Sequence, residues 1–280
     1  MGSLSNLNLL YLSHNQIVDV SALSRLTDLN WLELDHNQVV DVYPLRAIEG
    51  IRNLRLNANP TLDVSSLKFL TNVIGSLDLD ANNLSDITPL ATLRNVTSLY
   101  LSQNQIRDLS PLAELTNLYS LSLSNNQISD LSPLSKLTRL TSLSLRHNQI
   151  TDLSPLSELS TLTRLYLESN LFDDISPILN LKDLTRLGLE RNGIQDVSFV
   201  RALPSIASLE LNHNQISDLS PLSEITTLRS LHIENNQISD LSSLSFLTHL
   251  WSLSLGKNKI LDISPLARMT GLNYLELEGN

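Results

Sequence analysis

The chain has 280 residues, a net charge of −10 and no cysteine, which excludes disulfides, thiolate metal sites and cysteine nucleophiles. Hydrophobic residues make up 41% of the sequence but aromatic residues only 4%, so the core must be filled mainly by aliphatic side chains. The negative charge disfavours nucleic acid and anionic membranes as partners, because both require clustered Lys and Arg. No segment approaches the roughly 20 apolar residues of a membrane helix, and no signal peptide is recognisable, so no membrane insertion is predicted and the compartment stays unknown.

Asparagine recurs at a nearly constant spacing from the first coil to the last. The interval is 22 residues, except for 23 residues between Asn59 and Asn82. The column consists of Asn15, Asn37, Asn59, Asn82, Asn104, Asn126, Asn148, Asn170, Asn192, Asn214, Asn236, Asn258 and Asn280.

Leucines surround each asparagine in the pattern L-x-x-L-x-L-x-x-N-x-L, which is that of a leucine-rich repeat. In Leu143-Ser144-Leu145 the alternation predicts a short strand with both leucines inward and the serine outward. One unit cannot bury its leucines alone, so the units must stack. The predicted fold is an α/β solenoid: a right-handed superhelix, shaped as a horseshoe or arc, with a parallel concave sheet and short 3₁₀ or irregular convex turns.

The repeats are similar to the 22-residue class found in bacterial internalin-type surface proteins and in phosphatase-regulating repeat proteins of eukaryotic cells. Residues 126–145, NQISDLSPLSKLTRLTSLSL, carry the resemblance. It implies recognition of a protein through the concave face and leans towards a bacterial surface or secreted location, with the cytoplasm left open. It identifies no partner residue.

The whole chain, 1–280, is predicted to be a single domain of about thirteen units that lacks both terminal caps. We therefore expect a fragment of a longer protein, and end-to-end self-association through the uncapped ends is an open alternative.

Two polar columns are interpreted as structural. The asparagine amide is expected to satisfy backbone groups in its own and adjacent coils. An aspartate column runs from Asp19 to Asp262, as in the segment Asp152-Leu-Ser-Pro-Leu, and is expected to cap the following turn rather than to bind calcium. No metal site and no cofactor are predicted.

Departures from the repeat indicate candidate sites, since the fold already accounts for the residues that follow the repeat. The outward strand positions lie six, four and two residues before each column asparagine. An N-terminal patch with an unusual tryptophan comprises Tyr11, Trp31, Glu33 and Arg55, with Asp35 beside them. The third coil is irregular and carries one extra residue between Leu70 and Leu77, which predicts a small bulge.

Serine dominates the outward positions of coils five to seven, whereas the later coils are crowded with charged and aromatic side chains. This C-terminal patch is the first-choice partner surface, because Arg and Tyr supply most interface hot spots. It comprises Arg164, Tyr166, Glu168, Arg186, Glu190, Glu210, His232 and Glu234. A solvated, salt-bridged sheet surface is the alternative interpretation.

Four histidines, at 14, 36, 147 and 213, directly precede column asparagines and are interpreted as separate surface residues, not a cluster. No catalytic motif occurs, so the chain is not predicted to be an enzyme. The predicted function is a scaffold that binds a protein partner through its concave sheet. A structural spacer or consensus-like engineered array is one alternative, and the recognition arm of a larger protein with its catalytic part elsewhere is another.

Overall fold

A computed structural model describes residue 4 and residues 6–280. They cluster into two compact units that divide between Leu143 and Ser144. The predicted absence of an amino-terminal cap involves residues 1–3 and 5, which lie outside the described residues.

Each repeat contributes a three-residue strand, and a short 3₁₀ helix follows every strand but the last. The strands are β1 (Leu9–Tyr11), β2 (Trp31–Glu33), β3 (Asn53–Arg55), β4 (Ser76–Asp78), β5 (Ser98–Tyr100), β6 (Ser120–Ser122), β7 (Ser142–Ser144), β8 (Arg164–Tyr166), β9 (Arg186–Gly188), β10 (Ser208–Glu210), β11 (Ser230–His232), β12 (Ser252–Ser254) and β13 (Tyr274–Glu276). The 3₁₀ helices are Ser21–Arg25, Tyr43–Ala47, Val64–Phe69, Thr88–Thr92, Ser110–Leu112, Ser132–Leu134, Ser154–Leu156, Ser176–Asn180, Ser198–Ala202, Ser220–Leu222, Ser242–Phe246 and Ser264–Arg268.

Neighbouring strands pair in parallel and in sequence order within each unit. In the first unit β1 to β6 pair successively, and Leu99 lies opposite Leu121. In the second unit β8 to β13 pair in the same way, and Leu187 lies opposite Leu209. The predicted fold class, a leucine-rich-repeat solenoid with a parallel sheet and short 3₁₀ turns, is confirmed.

Leucine fills most of the core positions that the pattern assigns to it, and isoleucine or valine fills most of the others. Leu145, Leu156, Leu159 and Leu162 are each 0% exposed, and they come from a strand end, a 3₁₀ helix and the return segment of one coil. Full burial of such a side chain contributes about 1.5–3 kcal/mol. The stack therefore draws its stability from small, equivalent contributions repeated along the chain.

The asparagine column is buried except at Asn15, Asn192 and Asn280, and its amides link adjacent coils. Asn126 Nδ2 donates to the carbonyl oxygen of Leu123 in its own coil at 3.0 Å and to that of Leu101 in the preceding coil at 2.9 Å. Its Oδ1 accepts from the backbone amide of Ile106 at 2.9 Å. The predicted structural role of this column is confirmed.

The residue before each column asparagine adopts a left-handed backbone conformation. Examples are Gln103 with φ 56°, His147 with φ 53° and Lys257 with φ 54°. A non-glycine residue in this region is strained and persists only where its surroundings hold it. Here the hydrogen bonds of the adjacent asparagine hold the turn, so that residue always projects from the same place on its coil.

The aspartate column caps the 3₁₀ helices, as predicted. Asp152 Oδ1 accepts from the backbone amide of Ser154 at 2.8 Å, and its Oδ2 accepts from the Ser154 hydroxyl at 2.8 Å. The backbone hydrogen bond and then the hydroxyl hydrogen bond lower the pKa of Asp152. Both oxygens of this carboxylate are therefore engaged within their own coil.

The extra residue of the third interval is taken up just before β4. Ile74 donates to the Ile51 carbonyl at 2.9 Å, and Ser76 donates to the Arg52 carbonyl at 2.8 Å. Gly75 lies between them, where a Cβ would come 2.1 Å from the Arg52 oxygen. The register then resumes with Asn53 opposite Ser76, so β4 keeps its place in the sheet.

The asparagine column predicts a specific stability effect. Asn126→Ala leaves buried backbone groups of two coils unpaired, so we expect the free energy of unfolding to fall by about 3 kcal/mol, which urea denaturation measures. Ser129→Ala, at an exposed position of the same coil, is the control and should change it by less than about 0.5 kcal/mol. Equal effects of the two substitutions would contradict the role given to the amide.

Candidate functional site

The C-terminal patch consists of side chains of β8 to β11, which lie in rows that cross neighbouring strands, together with Glu168, Glu190 and Glu234, which follow β8, β9 and β11. Arg164 pairs with Arg186, and Glu210 pairs with both Gly188 and His232. The structure therefore brings these predicted residues onto one surface of the second unit.

Two arginines stand side by side at one edge of the patch. Arg164 and Arg186 lie directly opposite each other on β8 and β9, and both are exposed. Neither forms an ion pair with another described residue. Like charges placed opposite each other on adjacent strands are mildly destabilising, so the fold gains nothing from this pair.

Glu168 is not on the surface, although its repeat position predicts an outward side chain. It is only 4% exposed, and neither carboxylate oxygen accepts a hydrogen bond from the described residues. The carboxylate lies over Gly188, where a Cβ would come 2.1 Å from Oε1. Glycine at 188 creates the space into which Glu168 folds, and the prediction of an exposed Glu168 is wrong for that reason.

Arg146 covers the buried carboxylate and was missed by the sequence interpretation. Its Nη2 lies 3.1 Å from Glu168 Oε1 and 3.6 Å from Glu210 Oε2, and its guanidinium carbon lies 4.4 Å from the centre of the Tyr166 ring. Arg146 stands two residues before Asn148, so the rule for outward positions would have found it.

Burial raises the pKa of Glu168 to about 7. The Arg146 charge opposes this shift, while the charges of Glu210 and Glu190 add to it. Glu168 is therefore partly protonated near neutral pH, and its ionisation alters the charge beneath the patch.

The remaining acidic side chains of the patch are half-buried and partly restrained. Asn212 Nδ2 donates to Glu190 Oε1 at 2.9 Å, and Asn212 Oδ1 accepts from the backbone amide of Glu234 at 2.8 Å. His232 Nε2 lies 3.3 Å from the hydroxyl of Ser230 and 3.4 Å from that of Ser252. These contacts hold His232 and the acidic row in a defined arrangement.

The N-terminal patch is a hydrogen-bonded row across β1 to β4. Trp31 Nε1 donates to Glu33 Oε1 at 3.0 Å, and Arg55 lies 3.5 Å from the same oxygen and 3.6 Å from Asp78 Oδ2. Tyr11 lies opposite Glu33 in the sheet and is 60% exposed. Asp78 occupies the same repeat position as Arg55 and was missed.

Asp80, at the outward position two residues before Asn82, is also titratable near neutral pH. Its burial, and then the charge of Asp78, raise the pKa of Asp80 to about 6. Asp80 Oδ1 accepts from the backbone amide of Ser102 at 2.5 Å. The first unit thus also has a half-buried carboxylate of raised pKa among its outward side chains.

The histidines before the column asparagines are not all separate. The rings of His14 and His36 stack with a centroid distance of 4.2 Å and an interplanar angle of 19°. Equivalent positions in adjacent coils share one backbone conformation, so identical side chains there meet face to face. The interpretation of these two histidines as isolated surface residues is therefore wrong.

A cavity of about 840 Å³ lies away from the strands, between two coils of the second unit. Phe172 and Phe199 line it together with Asp174 and Asp196. These aspartates cap the following 3₁₀ helices through the backbone amides at 176 and 198, at 2.8 and 2.7 Å. Since its acidic walls are part of the scaffold, we place the candidate site on the strands instead.

The chain belongs to the leucine-rich-repeat family. The family model for two copies of the repeat matches residues 76–114, 94–136, 116–158, 138–180, 204–246 and 226–268. Membership of this family supports a role in protein interaction, and the internalin-like fold is typically non-catalytic.

Solved structures that resemble this chain include bacterial repeat proteins. An internalin, inlF, from Listeria monocytogenes is 38% identical with a TM-score of 0.88, and the match covers 100% of this chain and 83% of that one. Internalin C2 from the same species is 33% identical over 76% of this chain and 84% of that one, with a TM-score of 0.54. A repeat protein from Leptospira interrogans is 26% identical over 99% and 79%, with a TM-score of 0.81. No curated protein sequence matches the chain.

No helix among residue 4 and residues 6–280 has the length and apolar character needed to cross a bilayer.

The buried carboxylate predicts an unusual pH dependence of stability. Because the pKa of Glu168 is about 7 in the folded chain and about 4.5 when unfolded, the unfolded state loses its proton first, and stability falls as pH rises through this interval. Glu168→Gln should remove that decrease and raise the free energy of unfolding at pH 8 by up to about 3 kcal/mol.

Urea denaturation between pH 4 and pH 8 measures this effect, and the exposed Glu158→Gln is the control. A Glu168→Gln variant that is less stable than the parent at pH 8 would mean that the Arg146 ion pair outweighs desolvation.

Proposed function

We propose that the chain binds a folded protein through the strand surface of the second unit, with the C-terminal patch as the main contact. The observation that carries this proposal is the pair of exposed arginines, Arg164 and Arg186, which form no ion pair with a described residue and share β8 and β9 with Tyr166. Arginine and tyrosine are enriched among the residues that dominate binding energy. Ion pairs among the described residues do not account for the two arginines.

The charges of the patch suggest what the partner surface presents. Arg164 and Arg186 lie six residues before their asparagines, whereas Glu190, Glu210 and Glu234 lie two or four residues before theirs. A complementary partner would place carboxylates over the arginines and basic side chains over the glutamates. Such complementarity favours orientation and association rate more than raw affinity.

Several side chains of the patch are held in place before any partner arrives. Arg146 lies over the Tyr166 ring, and Asn212 holds Glu190. The strands beneath them belong to a packed leucine core. Side chains that are already ordered lose less entropy on binding, which favours affinity.

A location at the bacterial surface or outside the cell fits the resemblance to internalins, and we propose it together with the binding function.

Trp251 is 52% exposed and Tyr274 is 49% exposed, and the Trp251 carbonyl accepts from the Tyr274 amide at 3.0 Å. This neighbouring aromatic pair, which the sequence interpretation missed, offers the partner a second apolar contact.

The triple variant Arg164→Ser, Tyr166→Ser, Arg186→Ser tests the proposal, because serine is the common outward residue of the central coils. A partner isolated on the parent chain should bind the variant at least about 100-fold more weakly in direct calorimetry, which corresponds to about 2.7 kcal/mol. The matched control Arg201→Ser, Phe246→Ser, Lys259→Ser removes two cations and an aromatic ring outside the patch, and it should bind as the parent does.

Circular dichroism and urea denaturation establish that both variants fold. Equal affinity of the two variants for the partner would contradict the assignment of the patch. A partner that binds neither parent nor variants once purified would leave protein binding itself unsupported.

A further inference from the structure

Two adjacent coils of the first unit bring His14, Asp35 and His36 together. His14 and His36 directly precede Asn15 and Asn37, with φ of 57° and 54°. The backbone amide of His14 donates to the Asp35 carbonyl at 3.0 Å. The two imidazoles are thus anchored by the repeat itself, and their rings stack at 4.2 Å.

Asp35 is the buried member of the group, with 5% exposure. Its Oδ1 accepts from the hydroxyl of Ser13 at 2.6 Å, and its Oδ2 lies 3.2 Å from Nδ1 of His36. The hydrogen bond to Ser13 fixes the carboxylate and leaves Oδ2 directed towards the imidazoles. In metal sites, the side chains that bind the ion are typically oriented by a hydrogen bond from a second residue, as Asp35 is here by Ser13.

The spacing of the potential ligand atoms suits a transition metal. One nitrogen from each histidine and one carboxylate oxygen of Asp35 all lie within 4.8 Å of one another. With metal to nitrogen distances of about 2.0–2.1 Å, ligand atoms of a tetrahedral site are about 3.4 Å apart. Since both histidines are exposed, their rings have room to rotate out of the stacked arrangement so that one nitrogen of each faces the same ion.

We propose that His14, Asp35 and His36 bind a divalent transition-metal ion such as Zn²⁺, with a fourth position open to water. Two imidazoles and one carboxylate favour this class of ion over Ca²⁺ and Mg²⁺, which prefer oxygen ligands. This site is separate from the C-terminal patch and does not depend on the proposed function.

Other histidines of the same column provide an internal comparison. His213 lies between Arg191 at 3.2 Å and Asn235 at 3.0 Å, so arginine and asparagine stand where a second imidazole would be needed, although Glu234 occupies the place that corresponds to Asp35. His147 has the same backbone conformation, with φ 53°, and Ser169 is the equivalent residue of the next coil. Only the first pair combines two imidazoles with a buried carboxylate among the described histidines of this column.

The test is calorimetric titration of Zn²⁺ into the full chain, prepared without a histidine tag and stripped with a chelator. We expect one ion per chain, and at least about 10-fold weaker binding in His14→Gln, His36→Gln and Asp35→Asn. Gln103 occupies the equivalent position with φ 56°, so glutamine is compatible with this backbone. His147→Gln is the matched control and should bind Zn²⁺ as the parent does.

A spectroscopic readout separates coordination from a change in stability. Co²⁺ substituted for Zn²⁺ should give a visible absorption band of tetrahedral coordination that His36→Gln abolishes, and imidazole resonances of His14 and His36 should shift in the parent. Zn²⁺ binding that is unchanged in His14→Gln and His36→Gln, or reduced as much by His147→Gln, would overturn the proposal. So would the absence of a one-to-one titration.

Discussion

The amide of the column asparagine is the interaction on which the rest of this structure depends. Each short strand must turn sharply at its end, and the turn leaves backbone groups buried that water cannot reach. One asparagine satisfies groups in two coils at once: Asn214 Nδ2 donates to Leu211 at 2.9 Å and to Leu189 at 3.0 Å, and its Oδ1 accepts from Ile194 at 3.0 Å. No apolar side chain could replace these contacts, because unpaired buried groups cost about 1–3 kcal/mol each.

Because the turn is fixed, side chains at equivalent positions of adjacent coils must meet. The same constraint accounts for the candidate sites of both units. In the first unit it stacks His14 on His36 beside a buried Asp35. In the second unit it places Arg164 opposite Arg186. It also brings Arg146 to Glu168, whose carboxylate lies over Gly188 of β9. The scaffold is thus uniform, and the functional differences arise from which residues occupy its outward rows.

The asparagine spacing predicts the strands, the parallel order and the leucine core, since each follows from a local pattern repeated along the chain. The aspartate caps were predictable for the same reason, because the Asp, the Ser and the turn lie within three residues. The burial of Glu168 was not predictable from the sequence of its own coil. Its burial depends on Gly188, which offers no side chain, and on Arg146, which lies one coil earlier. The meeting of His14 and His36 was implied by the 22-residue interval between them, but it becomes visible only when adjacent coils are compared.

Native-state hydrogen exchange of the amides bonded to the asparagine column tests the central role of that column most directly. Ile106, Ile216 and Ile238 donate to Asn126, Asn236 and Asn258 at 2.9, 3.0 and 3.1 Å. If the column holds the coils together, these amides should be protected as strongly as the amides of Leu101 and Leu211, which donate to the neighbouring strands at Ser122 and His232. They should then exchange only when the unit unfolds. Exchange as fast as that of the Ser110 and Ser220 amides, which bond exposed aspartates, would contradict the account.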